Sequence, residues 1–93
     1  MHATVRTYAG DSALADTLAG HEAEIRELIG GIDGFQAYYL LKTDDGTTTI
    51  SVFDTAAGAE ESTRAAAAWI SENLPDLTVV APRVTAGEAV VNF

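Results

Sequence analysis

The order in which strand-like and helix-like patterns follow one another constrains this chain most. Residues 3–9, "ATVRTYA", form a short β-branched and aromatic run that predicts a first strand. Apolar residues and one histidine then recur at steps of four, three, four, three and four, the spacing of one helical stripe. The stripe consists of Leu14, Leu18, His21, Ile25, Leu28 and Ile32, and Ile29 widens it. We expect this helix to begin after an N-cap at Asp11 or Ser12 and to end at Gly30-Gly31.

A hairpin, a second helix and a last strand are predicted beyond this point. Asp44-Asp45-Gly46 is a hairpin signal, and Pro75 cannot continue a helix. Pro82 interrupts the tail, because proline cannot donate to a sheet ladder. The predicted elements are strands at 34–42 and 47–54, a helix from Thr55 to Leu74, a short arm at 77–81 and a main strand near 84–92.

The resulting order is β-α-β-β-α-β. A chain with this order forms a ferredoxin-like α+β sandwich, in which two helices cover one face of a four-stranded antiparallel sheet. With 93 residues, we expect a single domain spanning 1–93. The second face of the sheet has no helix to cover it.

The strand "GFQAYYLLK" at 34–42 is apolar on both of its sides. Strict alternation places Phe35, Ala37, Tyr39 and Leu41 on one side, and Tyr38 and Leu40 on the other with Gln36 and Lys42. The period of two leaves open which set faces the helices. Either choice exposes an apolar patch on the uncovered face, which favours a homodimer joined sheet to sheet. The alternative is a monomer with a few exposed aromatic side chains.

Charge and composition exclude several classes of partner. Fourteen acidic residues oppose five scattered basic ones, for a formal net charge of −9. Nucleic acids and anionic membranes require Lys/Arg clusters, so we exclude both partners. The chain has no cysteine and no zinc-binding spacing, and its first residues contain no long apolar run. We therefore expect a cytoplasmic protein without metal or cofactor. The acidity could serve a cationic partner, but solubility is the simpler interpretation. It also fits either a salt-rich cytoplasm or a GC-rich genome.

Four stretches carry a resemblance to a known superfamily: "VRTYAG", "IDGFQAYYLLKTDDG", "STRAAAAWISENL" and "VTAGEAVV". With them the chain resembles the dimeric α+β barrel proteins, and within these the antibiotic-biosynthesis-monooxygenase-like group. The resemblance implies a ferredoxin-like protomer and a homodimer. It specifies the reaction poorly, because the superfamily includes cofactor-free monooxygenases, haem-degrading enzymes and proteins of unknown role.

His21 and Trp69 are the first candidates for a functional site. His21 lies on the first helical stripe, where it could be a general base or a metal or haem ligand, or simply a half-solvated side chain. Trp69 shares one face of the second helix with Ser62, Ala66 and Asn73. The small alanines at 65–68 leave room either for a cavity or for close packing filled by Trp69. In the expected fold, His21 comes close to the Ser62–Trp69 line.

Tyrosine and arginine side chains are the second group of candidates. Tyr8, Tyr38 and Tyr39 could hydrogen-bond a phenolic or quinone-like ligand, although such tyrosines are more often core or interface residues. Arg6 could bind an anionic ligand, but pairing with an acid across the dimer is the preferred interpretation. Arg83 has the same two interpretations.

Three functions follow from these residues. The first is binding of a small aromatic or apolar ligand between helices and sheet, with a purely structural dimer as its inert variant. The second is a cofactor-independent monooxygenase acting on an aromatic polyketide-like substrate, with His21 as base. The third is haem binding and degradation. The haem degraders of the superfamily rely on an asparagine in the first strand, a tryptophan and a haem-ligating histidine. Here the first strand offers Thr4, Arg6 and Tyr8 but no asparagine, and His21 lies in the first helix, where that ligand is not expected.

Overall fold

The computed structural model describes residues 1–10, 12–77 and 80–93. The predicted order of elements is confirmed, except that the first helix is divided in two. The elements are β1 (His2–Ala9), α1 (Ala13–Ala19), α2 (Glu22–Gly30), β2 (Phe35–Thr43), β3 (Gly46–Phe53), α3 (Ala56–Asn73) and β4 (Arg83–Glu88).

The four strands form one antiparallel sheet in the order β2-β3-β1-β4. This is the ferredoxin-like arrangement that the sequence predicts. The core lies between the helices and one face of the sheet, with Leu14, Leu18, Ile25 and Ile29 packed against Phe53. None of the helices in the described ranges is long and apolar enough to cross a membrane.

The first helix is broken at Gly20 and His21, which corrects the prediction of one continuous helix. Gly20 caps α1, and His21, with φ −112° and ψ 27°, becomes the N-cap residue of α2. Glycine is a poor helix former, so the break occurs where the intrinsic preference is weakest. Ser12 stands at the N-cap of α1 without a side-chain cap bond, and the alternative cap Asp11 lies outside the described residues. The predicted end at Gly30-Gly31 is confirmed.

A β-bulge in β2 overturns the predicted division of this strand into two sets. The register against β3 shifts between Phe35 and Ala37, so Gln36 is an extra residue. Phe35 therefore faces the helices together with Tyr38 and Leu40, all of them packed against the core. The opposite, uncovered side of β2 carries Ala37, Tyr39 and Leu41.

We call the uncovered side of the sheet the open face. Its centre is a row of Val5, Ile50 and Tyr39, adjacent across β1, β3 and β2. Ala3, Val52 and Ala37 form the next row, and Thr7, Thr48 and Leu41 the third. Tyr39 is 56% exposed and Leu41 43% exposed, so the open face is apolar and accessible.

The third helix follows the prediction closely. Thr55 caps it, because the Thr55 side chain accepts a hydrogen bond of 3.2 Å from the Gly58 amide. It ends at Asn73, just before Pro75.

The C-terminal strand is shorter than predicted, with Arg83–Glu88 in place of 84–92. The predicted arm at 77–81 is not a strand at Leu77 or at 80–81, and Thr78 and Val79 lie outside the described residues. Every residue of β4 is exposed, so this edge strand has little cover from the helices.

Candidate functional site

The centre of the site is Arg6, which lies on the helix-facing side of β1 and is only 1% exposed. Its Nε donates to the Thr49 hydroxyl at 3.1 Å and its Nη2 to the Ser51 hydroxyl at 2.7 Å. Its Nη1 donates to the hydroxyls of Thr63 at 2.9 Å and Ser62 at 3.4 Å. Antiparallel pairing explains the first two contacts, because Thr49 is the direct cross-strand partner of Arg6 and Ser51 lies two residues further on the same side.

No carboxylate neutralises Arg6 within the described ranges. The ion pairs there are exposed or half-exposed and join His21 to Glu24, Arg26 to Glu22, Lys42 to Asp16 and Arg64 to Glu61. The expected pairing of Arg6 with an acid across the dimer would require the side chain to face the second copy, and across the open face it does not. The side chain points into the helix layer, away from the open face.

Tyr8 and Tyr38 flank the guanidinium. Burial raises the pKa of both phenols, and the positive charge of Arg6 opposes that rise. Burial also lowers the pKa of Arg6 from its ordinary value, yet a guanidinium keeps its proton in proteins. The buried centre thus combines one fixed positive charge with two neutral phenols.

A small cavity lies against this centre, and we call it the Arg6 cavity. Its volume of about 20 Å³ suits roughly one water molecule. Residues with polar side chains that line it are Arg6, Tyr8, Tyr38 and Thr49, and Trp69 forms part of its wall. The remaining wall is apolar and is made by Leu18, Ile25, Leu28, Ile29, Ala66 and Ile70.

Two larger grooves flank the Arg6 cavity. The α3–β4 groove, about 660 Å³, has Arg6 and Tyr8 on its floor. Its other lining residues are Thr63, Ala67, Ile70, Ser71, Leu74, Pro75, Leu77, Val80, Ala81, Pro82 and Val84. The α2–β2 groove, about 520 Å³, is lined by Leu18, Ala19, Glu22, Ile25, Arg26, Ile29, Gly30, Phe35, Tyr38 and Leu40. The charged pair in the second groove, Arg26 and Glu22, is exposed and bonded to itself at 2.9 Å.

The grooves therefore differ in chemistry. Only the α3–β4 groove joins apolar walls to a buried charge and a buried phenol, which is the usual composition of a small-molecule site. Its volume also falls within the range of such sites.

His21 comes close to Trp69, as the predicted helix packing requires. The two rings meet edge to face with centroids 5.2 Å apart. His21 Nδ1 lies 3.0 Å from a Glu24 carboxylate oxygen. That contact lowers the pKa of the Glu24 carboxyl. However, the His21 side chain is 37% exposed and lines neither groove nor the Arg6 cavity.

The other predicted residues are divided between the site and the surface. Ser62 is buried, accepts from Arg6 and donates to the Ala59 carbonyl at 2.6 Å. Asn73 is exposed and donates to the Trp69 carbonyl of its own helix at 2.9 Å, so it does not reach the cavity. Tyr39 lies on the open face, and Arg83 is exposed on β4.

Sequence reasoning missed Thr49, Ser51 and Thr63. A signal for the first two exists in "TTTISVF", where Thr47, Thr49 and Ser51 alternate with Thr48, Ile50 and Val52. Such alternation places a row of hydroxyls on one side of the strand. No group of three or more histidine or acidic side chains that could hold a metal ion occurs among the residues described.

No protein-family model matches the sequence, and no curated protein matches it. Solved structures match its fold. NE2512, a protein of unknown function from Nitrosomonas europaea, is 21% identical with a TM-score of 0.73, covering 99% of this chain and 91% of that chain. The ActVA-Orf6 monooxygenase of Streptomyces coelicolor, solved with nanaomycin D, is 17% identical with a TM-score of 0.72, covering 99% and 89%.

The haem degrader MhuD of Mycobacterium tuberculosis, solved with two haems in its active site, is 10% identical with a TM-score of 0.71, covering 100% of this chain and 99% of that chain. These likenesses confirm the resemblance at the level of fold. The chain has the protomer fold of the antibiotic-biosynthesis-monooxygenase-like α+β barrel proteins.

Proposed function

We propose that this chain is a ligand-binding α+β barrel protein that takes a small aromatic or apolar molecule into the α3–β4 groove. The observation that carries the proposal is the groove itself, whose apolar walls lead down to Arg6 and Tyr8. A fully packed helix–sheet interface would favour a purely structural protein. The Arg6 cavity and the groove beside it are open space at that interface, and so they favour binding.

The test compares two neighbouring alanines of α3. Ala67 and Ala68 are both exposed, but only Ala67 lines the α3–β4 groove. We expect Ala67→Phe to fill the groove and weaken binding of the neutral probe 2-naphthamide by about tenfold, or ~1.4 kcal/mol, in isothermal titration calorimetry. Ala68→Phe adds the same ring outside the groove and should leave the affinity within about twofold of the original.

A third variant separates the two grooves. Ala19 lines the α2–β2 groove, so Ala19→Phe should not affect the probe. If Ala19→Phe weakens binding and Ala67→Phe does not, the ligand site lies in the α2–β2 groove. If 2-naphthamide and larger aromatic probes do not bind at all, the proposed function is wrong.

We further propose that the protein is a homodimer joined through the open face. The row of Val5, Ile50 and Tyr39 supports this, because a contiguous exposed apolar patch on a sheet usually marks an interface. A mass of two chains in analytical ultracentrifugation at micromolar concentration is expected. A single-chain mass would exclude the dimer.

A cofactor-independent monooxygenase remains the alternative. The motive for considering it is the fold likeness to a monooxygenase solved with nanaomycin D. Against it, the candidate base His21 lines neither groove nor the Arg6 cavity. Oxygen uptake with an anthrone-type substrate that falls in both His21→Ala and Trp69→Phe would support the alternative over simple binding.

Haem is a poor fit to this site. Neither histidine of the sequence, His2 or His21, lines the α3–β4 groove or the α2–β2 groove, so neither groove offers an imidazole to the iron. A haemin titration should accordingly produce no Soret shift typical of histidine ligation.

A further inference from the structure

The charge on Arg6 is the most unusual feature of the site. Burying a cation costs several kcal/mol unless a counter-ion or a full set of hydrogen bonds offsets it. Lysine would respond by losing its proton, but arginine cannot. The sequence has 14 acidic residues, and none of those in the described ranges lies against Arg6. The protein therefore keeps a permanent positive charge at the floor of its groove.

The hydrogen bonds around Arg6 leave donor capacity free. Thr49, Ser51, Ser62 and Thr63 accept from four of the five N–H groups of the guanidinium. The fifth, on Nη2, has no acceptor among the described residues. The hydroxyls supply dipoles but no negative charge. Ser62 and Thr63 also direct their own protons to the Ala59 carbonyl, at 2.6 and 3.3 Å, which leaves their lone pairs for Arg6.

Tyr8 adds a second donor on the same floor. It is buried beside Arg6, lines both the Arg6 cavity and the α3–β4 groove, and makes no side-chain hydrogen bond with another described residue. Its oxygen is not sealed from solvent, because Thr47 Oγ1 is the one fully buried side-chain polar atom without a hydrogen-bond partner among the described residues. The Tyr8 hydroxyl can therefore donate to a molecule that enters the groove. Arg6 and Tyr8 thus place a cation and a neutral O–H donor in the lining of the same groove.

We infer that the ligand of the α3–β4 groove carries an anionic oxygen, a carboxylate or a phenolate, which binds Arg6 and Tyr8 while its apolar body lies between α3 and β4. This inference rests on the proposed function. The groove holds the body, and the floor supplies a charge-assisted contact, which is stronger than a neutral hydrogen bond. The net charge of −9 makes the expectation specific, since the field of the whole molecule disfavours anions and only a local cation can reverse that preference.

The experiment uses pairs of probes that differ in charge but share a ring. The wild-type protein is titrated calorimetrically with 2-naphthoate and 2-naphthamide, and separately with 2,4-dinitrophenolate and its neutral methyl ether. We expect the anion to bind at least about tenfold more tightly in one of the two pairs. The pair that discriminates identifies the head group as carboxylate or phenolate.

Two variants assign the preference to residues. Arg6→Gln removes the charge and should bring the two members of the preferred pair within about twofold of each other. Tyr8→Phe keeps the packing and removes one donor, so it should weaken the anion by about threefold to tenfold and the neutral probe by a smaller factor, because a charge-assisted hydrogen bond is stronger than a neutral one. Circular dichroism confirms that each variant folds, and Tyr8→Phe serves alone if Arg6→Gln does not.

The outcomes distinguish a failure of the anionic-ligand inference from a failure of the proposed ligand-binding function. Equal affinities for anion and neutral probe in the wild-type protein overturn the inference and leave the ligand site standing. A discrimination that survives in Arg6→Gln also overturns it, because the anion would then be bound elsewhere. Absence of binding by every probe overturns the proposed function itself.

Discussion

Arg6 shows how a buried charge can be held without an ion pair. Its partners are four hydroxyl groups from β3 and α3, which orient their lone pairs towards the guanidinium. Hydroxyls cost less to bury than carboxylates, because they carry no charge to desolvate. The arrangement therefore holds the arginine in place while its positive charge stays uncompensated.

The two phenols beside Arg6 predict how stability changes at high pH. Burial raises the pKa of Tyr8 and Tyr38, so above about pH 10 the unfolded chain loses these protons before the folded one does. The folded state then binds more protons than the unfolded state, and the free energy of unfolding falls as pH rises. Urea unfolding at pH 8 and pH 11 should show this loss.

A matched pair of variants assigns the loss to these residues. Tyr38→Phe should reduce the difference between the two pH values, whereas Tyr39→Phe, on the exposed side of the same strand, should not. An equal alkaline loss in both variants would contradict the assignment.

At the scale of elements, the sequence predicts what depends on local chemistry and misses what depends on pairing. The Thr55 cap, the Gly30-Gly31 stop and the Asp44-Asp45-Gly46 turn are correct because each acts over a few residues. The bulge at Gln36 and the hydroxyls around Arg6 depend on the register between strands, which a single strand does not reveal. The sequence pattern does not reveal the helix break at Gly20, because the spacing of the helical stripe continues from α1 into α2.

Gly46 gives an element-scale prediction, because it stands where β3 leaves the turn against β1. A Cβ at Gly46 would lie 2.2 Å from the Tyr8 carbonyl oxygen, so the strands would have to separate. We expect Gly46→Ala to lower the free energy of unfolding by about 3 kcal/mol or more.

Gly87 is the matched control in β4. A Cβ there meets nothing within 4 Å, and Gly87→Ala should change the free energy of unfolding by less than about 0.5 kcal/mol. Chemical denaturation of both variants measures the contrast. Similar losses in the two would mean that strand glycines matter here for backbone freedom and not for space.

At the scale of the molecule, the order of strands follows from the order of elements, but the way two copies meet does not. The bulge places Tyr39 and Leu41 on the open face and Tyr38 and Leu40 inside, a choice that the alternation alone left undecided. In the proposed dimer, the same surface of a second copy would cover these exposed apolar rows. The acidity of the chain opposes such association, so the proposed contact would depend on apolar area.

The dimer is tested by adding a charge to the centre of the open face. Tyr39→Lys places an ammonium group in the central row, where a two-fold axis would bring two such groups together. We expect this variant to sediment as a single chain at concentrations where the original protein is a dimer. Ala68→Lys adds the same charge on the exposed side of α3 and should remain a dimer. If both variants behave alike, the open face is not the interface.

The bulge in β2 also determines how this chain should be aligned with relatives. Gln36 adds one residue to the strand, and the residues on either side of it, Phe35 and Ala37, still pair with consecutive residues of β3. A relative with a regular strand therefore needs its alignment gap inside the strand, opposite Gln36. If the gap is placed in the following turn, the relative's counterpart of Tyr38 is compared with Ala37, and every later position of β2 is displaced. Residues beside the Arg6 cavity would then be scored against residues of the open face, and a shared binding site would go unnoticed.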